Sequence, residues 1–300
     1  MAGLKGVMAN NPVNNPSIWK AALWMSGTLL SFTFMAIAIR ELHAAEIHTF
    51  EMLAMRSIVG LAIVLVIAWR FGWHLIRTQQ LKLQIGRNIV HFGGQSTWMY
   101  GLSLLPLAEV FAIEFTIPIW VAILAVCFLG ERITKSRLIA IGFGFAGILV
   151  MLKPGLEVID SGAFVVMASA FFFGLAITST KKLVTTDGPL AVLFFMCLIQ
   201  LPMGLIPAVF VWITPQGIEW LFLLFIGLMG LSAHYCEAHA FRHADATVVI
   251  PLQFLRLPLI AIVGFFLYKE TLDWTVLFGA LMIFGGNYYN IHQEAERSGG

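Results

Sequence analysis

Residues 104–149 read LLPLAEVFAIEFTIPIWVAILAVCFLGERITKSRLIAIGFGFAGIL: a hydrophobic span, a short charged turn beginning at Glu131, and a second hydrophobic span rich in glycine. Residues 243–288, HADATVVIPLQFLRLPLIAIVGFFLYKETLDWTVLFGALMIFGGNY, repeat that pattern. Glu131 stands 16 residues before Gly147, and Glu270 stands 16 before Gly286. Pro118 and Pro258 precede those acids by 13 and 12 residues. A two-helix unit that recurs 139 residues later marks a duplicated chain.

Composition names the solvent. Of 300 residues, 59% are hydrophobic and 11% are charged, against roughly a quarter charged in soluble domains. No soluble core hides so much apolar surface, so most of this chain faces lipid. A net charge of +2 argues against nucleic acid as a partner. Cys127, Cys197 and Cys236 have neither disulfide nor zinc spacing and read as buried free thiols. Residues 1–17 lack the apolar core of a signal peptide and read as a flexible cytoplasmic tail.

With about 20 apolar residues per crossing, ten spans follow: 18–39, 47–69, 86–105, 107–129, 133–151, 162–179, 190–212, 218–238, 245–267 and 274–291. With both termini cytoplasmic, 13 Lys and Arg, Arg87 among them, fall in inside loops and 3 in outside loops, so the charge bias sets that orientation. Arg56 and Arg256 fall within spans. Five crossings per half are an odd number, so the second copy enters the membrane from the opposite face. The expected fold is an all-α polytopic membrane protein of ten transmembrane helices. They form two inverted repeats, 18–152 and 162–291, with 292–300 a cytoplasmic tail. Inverted repeats are a device of secondary transporters.

LGERITKSRLIAIGFGFAGIL in one half and LYKETLDWTVLFGALMIFGG in the other resemble the EamA family of the drug/metabolite transporter superfamily. In that family the half-repeat joins a proline-bearing helix, a Glu at the turn and a glycine-rich final helix. An Arg in its second helix looks like Arg56 in EMLAMRSIVG. In the second half the counterpart of Arg56 falls near Cys197, and Lys269 replaces Gly130, so the match there is weaker. The aromatic-rich spans and short loops look most like the YddG-type amino-acid exporters. The resemblance implies a multi-pass protein of the bacterial inner membrane, read as a monomer, with no cofactor.

Ionisable groups deep in a bilayer are costly and point to function. Arg56 and Arg256 are candidates to receive a substrate carboxylate, and Glu114 to accept an ammonium or carry a proton. A fixed Glu–Arg bridge is the structural alternative. His91, Gln95 and Trp98 follow i, i+4, i+7 and share one helical face, as the lining of a wet cavity or as packing contacts. At the 139-residue offset, His234 answers Gln95, Glu237 answers Trp98 and Gln253 answers Glu114. Phe172, in the run Phe171–Phe173, is the candidate aromatic wall. His234 and His239 are five apart and project about 140° from each other on a helix, which argues against a metal site. Glu131 and Glu270 read as structural turn or interface residues, and the glycines at 142, 147, 227 and 230 as close helix contacts.

The expected activity is export of neutral and aromatic amino acids by alternating access through a central cavity; export of drugs or other metabolites is the alternative. No nucleotide-binding P-loop is present. A membrane-embedded enzyme would gather its acids, bases or metal ligands at one interface, whereas here the polar groups spread through the bilayer depth of both halves.

Overall fold

Helix boundaries repeat at the spacing found in the sequence. This computed structural model describes residues 18–129, 135–152, 160–183, 186–243, 256–270 and 273–299. The first half forms α1 (Ile18–Ala44), α2 (Thr49–Phe71), a 3-10 turn (Trp73–Ile76), α3 (Leu81–Leu104), α4 (Leu107–Glu114), α5 (Ile117–Leu129) and α6 (Lys135–Leu152). The second forms α7 (Ser161–Leu183), α8 (Pro189–Val211), α9 (Glu219–His243), α10 (Arg256–Tyr268) and α11 (Trp274–Gly299). Ile117, the first residue of α5, and Trp274, the first of α11, lie 139 residues from Arg256 and Lys135, where the described residues of α10 and α6 begin. No strand occurs among the described residues.

The fourth expected span is split into α4 and α5, and the ninth is described only from Arg256. Several helices overrun their expected ends: α3 begins at Leu81, and α11 continues to Gly299. Hydropathy marks only the part of a helix that lies in hydrocarbon, whereas backbone hydrogen bonding continues into the interface. Among the described residues, five helical stretches are long and apolar enough to cross a membrane, from Ala22–Ala44 to Glu219–Glu237. The outer faces carry exposed Trp19, Trp69, Phe71, Phe210 and Phe266, the surface expected against lipid. Cys197 and Cys236 are buried, but Cys127 is exposed, because its helix turns that face outward.

Packing follows a pseudo-two-fold. Helix α1 lies on α9 as α7 lies on α3, while α2 meets α8 and α6 meets α11 across the axis. Glycines permit the last of these. A Cβ on Gly147 would stand 2.6 Å from the Gly279 carbonyl oxygen, and one on Gly286 would stand 2.7 Å from Phe143 Cβ. Gly142, in contrast, faces open space, so its assignment to a helix contact is corrected.

The connections clasp each other across the axis with different chemistry. At the start of α2, Glu51 Oε1 accepts from the His48 N–H (3.4 Å) and from the Ile213 N–H (3.0 Å), tying α2 to the α8–α9 connection. At the related place Asp187 accepts from the Gln79 N–H (3.1 Å), Gln84 Nε2 (2.9 Å), Thr78 and Thr186, tying the α7–α8 connection to the α2–α3 connection. Burial alone would raise the Asp187 carboxyl, but the hydrogen bonds from Thr78, Gln79, Gln84 and Thr186 together hold it below the usual carboxylate range. A third clasp centres on Glu270. Glu270 pairs with Arg40 and accepts from the Leu107 N–H (2.9 Å), while Tyr268 Oη donates to Glu41 (2.8 Å), joining α1, α4 and α10. The positions related to Arg40, Glu41 and Tyr268 are Ser179, Thr180 and Leu129, so of that charge pattern only the acid recurs, as Glu131. Glu270 is therefore a scaffold residue, as expected. Glu131 lies outside the described residues.

Candidate functional site in the bundle core

The break in the fourth span sets the site. Helix α4 ends at Glu114, Phe115 and Thr116 form a turn, and α5 begins at Ile117. Pro118 lacks an N–H and is tolerated in the first turn of a helix, so here it starts α5 rather than kinking a continuous one. The freed Phe115 carbonyl accepts from Asn287 Nδ2 of α11 (3.3 Å), which supplies the partner that backbone in a membrane requires.

Glu114, at the end of α4, meets Arg256, the first residue of α10. Arg256 Nη1 donates to Glu114 Oε1 at 3.1 Å, a bond between the two halves. The Arg256 guanidinium carbon sits 4.4 Å from the centroid of Phe32 and 5.6 Å from that of Phe111, and such rings hold a cation by their faces. The pair is held by a single bond: Arg256 Nε has no hydrogen-bond partner among the described residues, and Glu114 Oε2 and the Trp98 indole N–H lie beside each other without a well-aligned bond. Trp98 stands edge-on to Phe111 at 5.9 Å and borders the Glu114 carboxylate.

From there a polar track crosses the bundle. Glu237 of α9 lies within electrostatic reach of Glu114, and its carboxylate is 3.9 Å from His234 Nδ1. His234 packs edge-on against Phe32 at 5.8 Å and lies within electrostatic reach of His91 of α3. His91 Nδ1 is 3.0 Å from Gln200 Nε2, which also donates to the Asn88 carbonyl (3.2 Å). Beyond His91 lie Arg56 of α2 and Arg87 of α3, both within its electrostatic reach. One end of the track is thus rich in carboxylates and the other in guanidinium groups, with aromatic rings between.

Seven of the residues singled out from the sequence lie along this track: Glu114, Arg256, Trp98, Glu237, His234, His91 and Arg56. Gln95 is buried on the His91–Trp98 face with its Oε1 unpartnered. The ring that meets His91 is Phe173, at 5.6 Å, rather than Phe172, which packs against α3 at Gly93 and Gly94. Which of three adjacent rings faces inward depends on the rotation of α7, and no pattern in the run sets that. Gln253 lies outside the described residues. Arg87, Asn88, Gln200 and the two rings at Arg256 escaped the sequence reading. Gln200 had a signal, as the polar residue in the apolar run PLAVLFFMCLIQLPMG.

Comparison with known proteins agrees with this architecture. Residues 19–153 and 160–291 each match the EamA-like transporter family. The chain is 29% identical over 245 residues to an S-adenosylmethionine uptake transporter of Rickettsia felis, covering 82% of this chain and 83% of that one. It is 27% identical over 251 residues to a riboflavin transporter of Brucella anthropi, covering 80% and 87%. A pseudopaline exporter of Pseudomonas aeruginosa is 24% identical over 238 residues, covering 78% and 82%. One solved crystal structure aligns with 91% of this chain and 96% of its own at TM-score 0.63 and 16% identity, a likeness of fold alone.

Proposed function

The chain belongs to the EamA-like transporter family, a multi-pass membrane transporter of small metabolites rather than an enzyme, and from that premise we propose its cargo. It carries a metabolite that joins an aromatic ring to an amino-acid-type zwitterionic head, with S-adenosylmethionine the first candidate, across the bacterial inner membrane. The relatives named for S-adenosylmethionine and riboflavin transport shift the reading away from free amino acids, which the sequence had suggested, toward larger ring-bearing solutes.

The observation that carries this is the open Glu114–Arg256 pair. A bidentate bridge would engage both carboxylate oxygens with the guanidinium fork. Here Arg256 reaches only Oε1, and Glu114 Oε2 is left to the Trp98 indole N–H beside it, near Phe32 and Phe111. A cationic centre beside a ring suits that corner: carboxylate for the charge, aromatic faces for the ring. The pair also spans the two halves, so a ligand that loosens it acts on the contact that must change when access alternates. Both termini are cytoplasmic in this reading, on the loop charges, and a solute or ion gradient drives transport.

Counterflow into proteoliposomes tests the cargo directly. Vesicles preloaded with unlabelled S-adenosylmethionine should accumulate the labelled compound, with phenylalanine and methionine failing to exchange. Exchange of riboflavin alone would reassign the cargo to flavins, exchange of free amino acids alone would restore the amino-acid reading, and no exchange of any of them would sink the proposal.

A further inference from the structure

Two arginines buried in the bundle have no carboxylate among the described residues to neutralise them. Arg56 is 9% exposed and Arg87 8%. An isolated buried cation is strongly unfavourable, and proteins retain one when a partner arrives from outside. Arg56 makes no hydrogen bond at all among the described residues. Its Nε lies over bare backbone, 2.8 Å from where a Gly230 Cβ would stand. It shares a small recess with Ser57, Gly60, Cys197, Gln200 and Gly227. Arg87 donates from Nε to Thr180 Oγ1 (3.1 Å) and from Nη1 to Asn88 Oδ1 (2.7 Å), neither of them charged. Its Nη2 makes no hydrogen bond among the described residues. The two guanidinium groups lie within electrostatic reach of each other and repel. Asn88 beside them is fully buried with its Nδ2 donor unpartnered. Donors without acceptors have collected here.

The repeat shows that this arrangement is not scaffold. At the 139-residue offset Arg56 becomes Phe195, Arg87 becomes Ile226, Asn88 becomes Gly227 and His91 becomes Gly230. The second half keeps the same helices with apolar residues or glycine at all four places, so helix packing does not require the cations.

We infer that Arg56 and Arg87, with Asn88, form an anion-binding subsite that receives the carboxylate of the transported solute, at the opposite end of the polar track from Glu114. It deepens the cargo proposed above and rests on it. The carboxylate would take both guanidinium groups as charge-assisted donors. The ring and cationic centre would then extend along His91 and His234 toward Glu114. Arg256 is not the carboxylate site, because Glu114 already occupies its Nη1.

The test uses the purified full-length protein in detergent. Binding of S-adenosylmethionine is compared with that of its decarboxylated analogue by calorimetry, in wild type and in the Arg56→Gln and Arg87→Gln variants. Wild type should prefer the carboxylate-bearing ligand by about tenfold or more, as sites built around a ligand's polar group do. Each variant should collapse that ratio toward one while binding the analogue unchanged, and Arg→Lys should restore part of it. Thermal stability gives a second, cargo-independent measurement: removing an uncompensated buried cation should raise the melting temperature, whereas removing a structural residue should lower it. If neither ligand binds wild type, the S-adenosylmethionine reading fails, and the subsite is then judged by inorganic sulfate at constant ionic strength. Sulfate should stabilise wild type but not the variants. An unchanged ligand ratio, an equal loss of both ligands, or sulfate stabilisation that survives both substitutions would overturn the subsite.

Discussion

Arg256 and Arg56 began as the same kind of residue, a lone arginine inside an apolar span, and the folded molecule treats them in opposite ways. Arg256 meets Glu114 at 3.1 Å and rests against Phe32 and Phe111. Arg56 meets neither an acid nor a hydrogen-bond acceptor among the described residues, and within its electrostatic reach is a second cation without an acid, Arg87, which has only neutral acceptors. A paired charge is compensated within the protein and so joins the two halves. An unpaired one stores an unfavourable energy that only a ligand relieves. On the proposed reading, the contrast separates a guanidinium already held by a carboxylate from one left for the carboxylate of the cargo.

The largest effect should break the paired side. Glu114→Ala leaves Arg256 buried with no counter-charge and should cost about 3–5 kcal/mol, the range for removing one partner of a buried pair. The double variant Glu114→Gln, Arg256→Met should recover most of that stability while transport stays lost. A melt of the single and double variants that coincided would show that the pair carries no coupling. Arg56 should move the other way, gaining stability as it loses ligand, and that reversal is the sharpest form of the contrast.

A carboxylate outside the membrane provides the reference. Asp187 is buried and accepts from Gln79, Gln84, Thr78 and Thr186, so Asp187→Ala should cost about 1–3 kcal/mol by orphaning those donors. Its carboxyl is held below the usual range. Stability from it is therefore present above the unfolded carboxylate value, about 3.9, and is lost as pH falls through that value toward the folded one. Thermal melts from neutral pH down to about pH 3 should show the wild type losing stability more steeply than Asp187→Asn, and parallel curves would remove Asp187 from the clasp. Neither variant should alter ligand selectivity.

The smallest effect on stability should fall on the unpaired side. Gly230→Ala places a Cβ 2.8 Å from Arg56 Nε. A long side chain can move aside, so the change should cost less than about 1 kcal/mol while weakening the preference for a carboxylate-bearing ligand several-fold. A loss of stability with selectivity intact would mean that Gly230 serves the helix contact alone.

Much of this was written in the chain. An 11% charged composition and the apolar run lengths demand a bilayer, because nothing else solvates such a surface. The recurrence of Glu131 with Gly147 as Glu270 with Gly286 places α6 against α11, because only glycine lets the backbones approach that closely. Glu114 and Arg256 stood out because an ionisable group in an apolar run is costly wherever it sits. Tertiary structure decided which charges find each other. The loop-charge count placed Arg87, at the edge of its span, with the inside loops, yet α3 begins six residues before it and the side chain turns inward. Phe173 rather than Phe172 faces His91 because of how α7 is rotated, and Asn287 serves the Phe115 carbonyl because α11 crosses the break. Repetition and hydropathy act along the chain, and they survive in a string of letters. Neutralisation of a charge depends on what approaches it in space, and that exists only once the helices have packed.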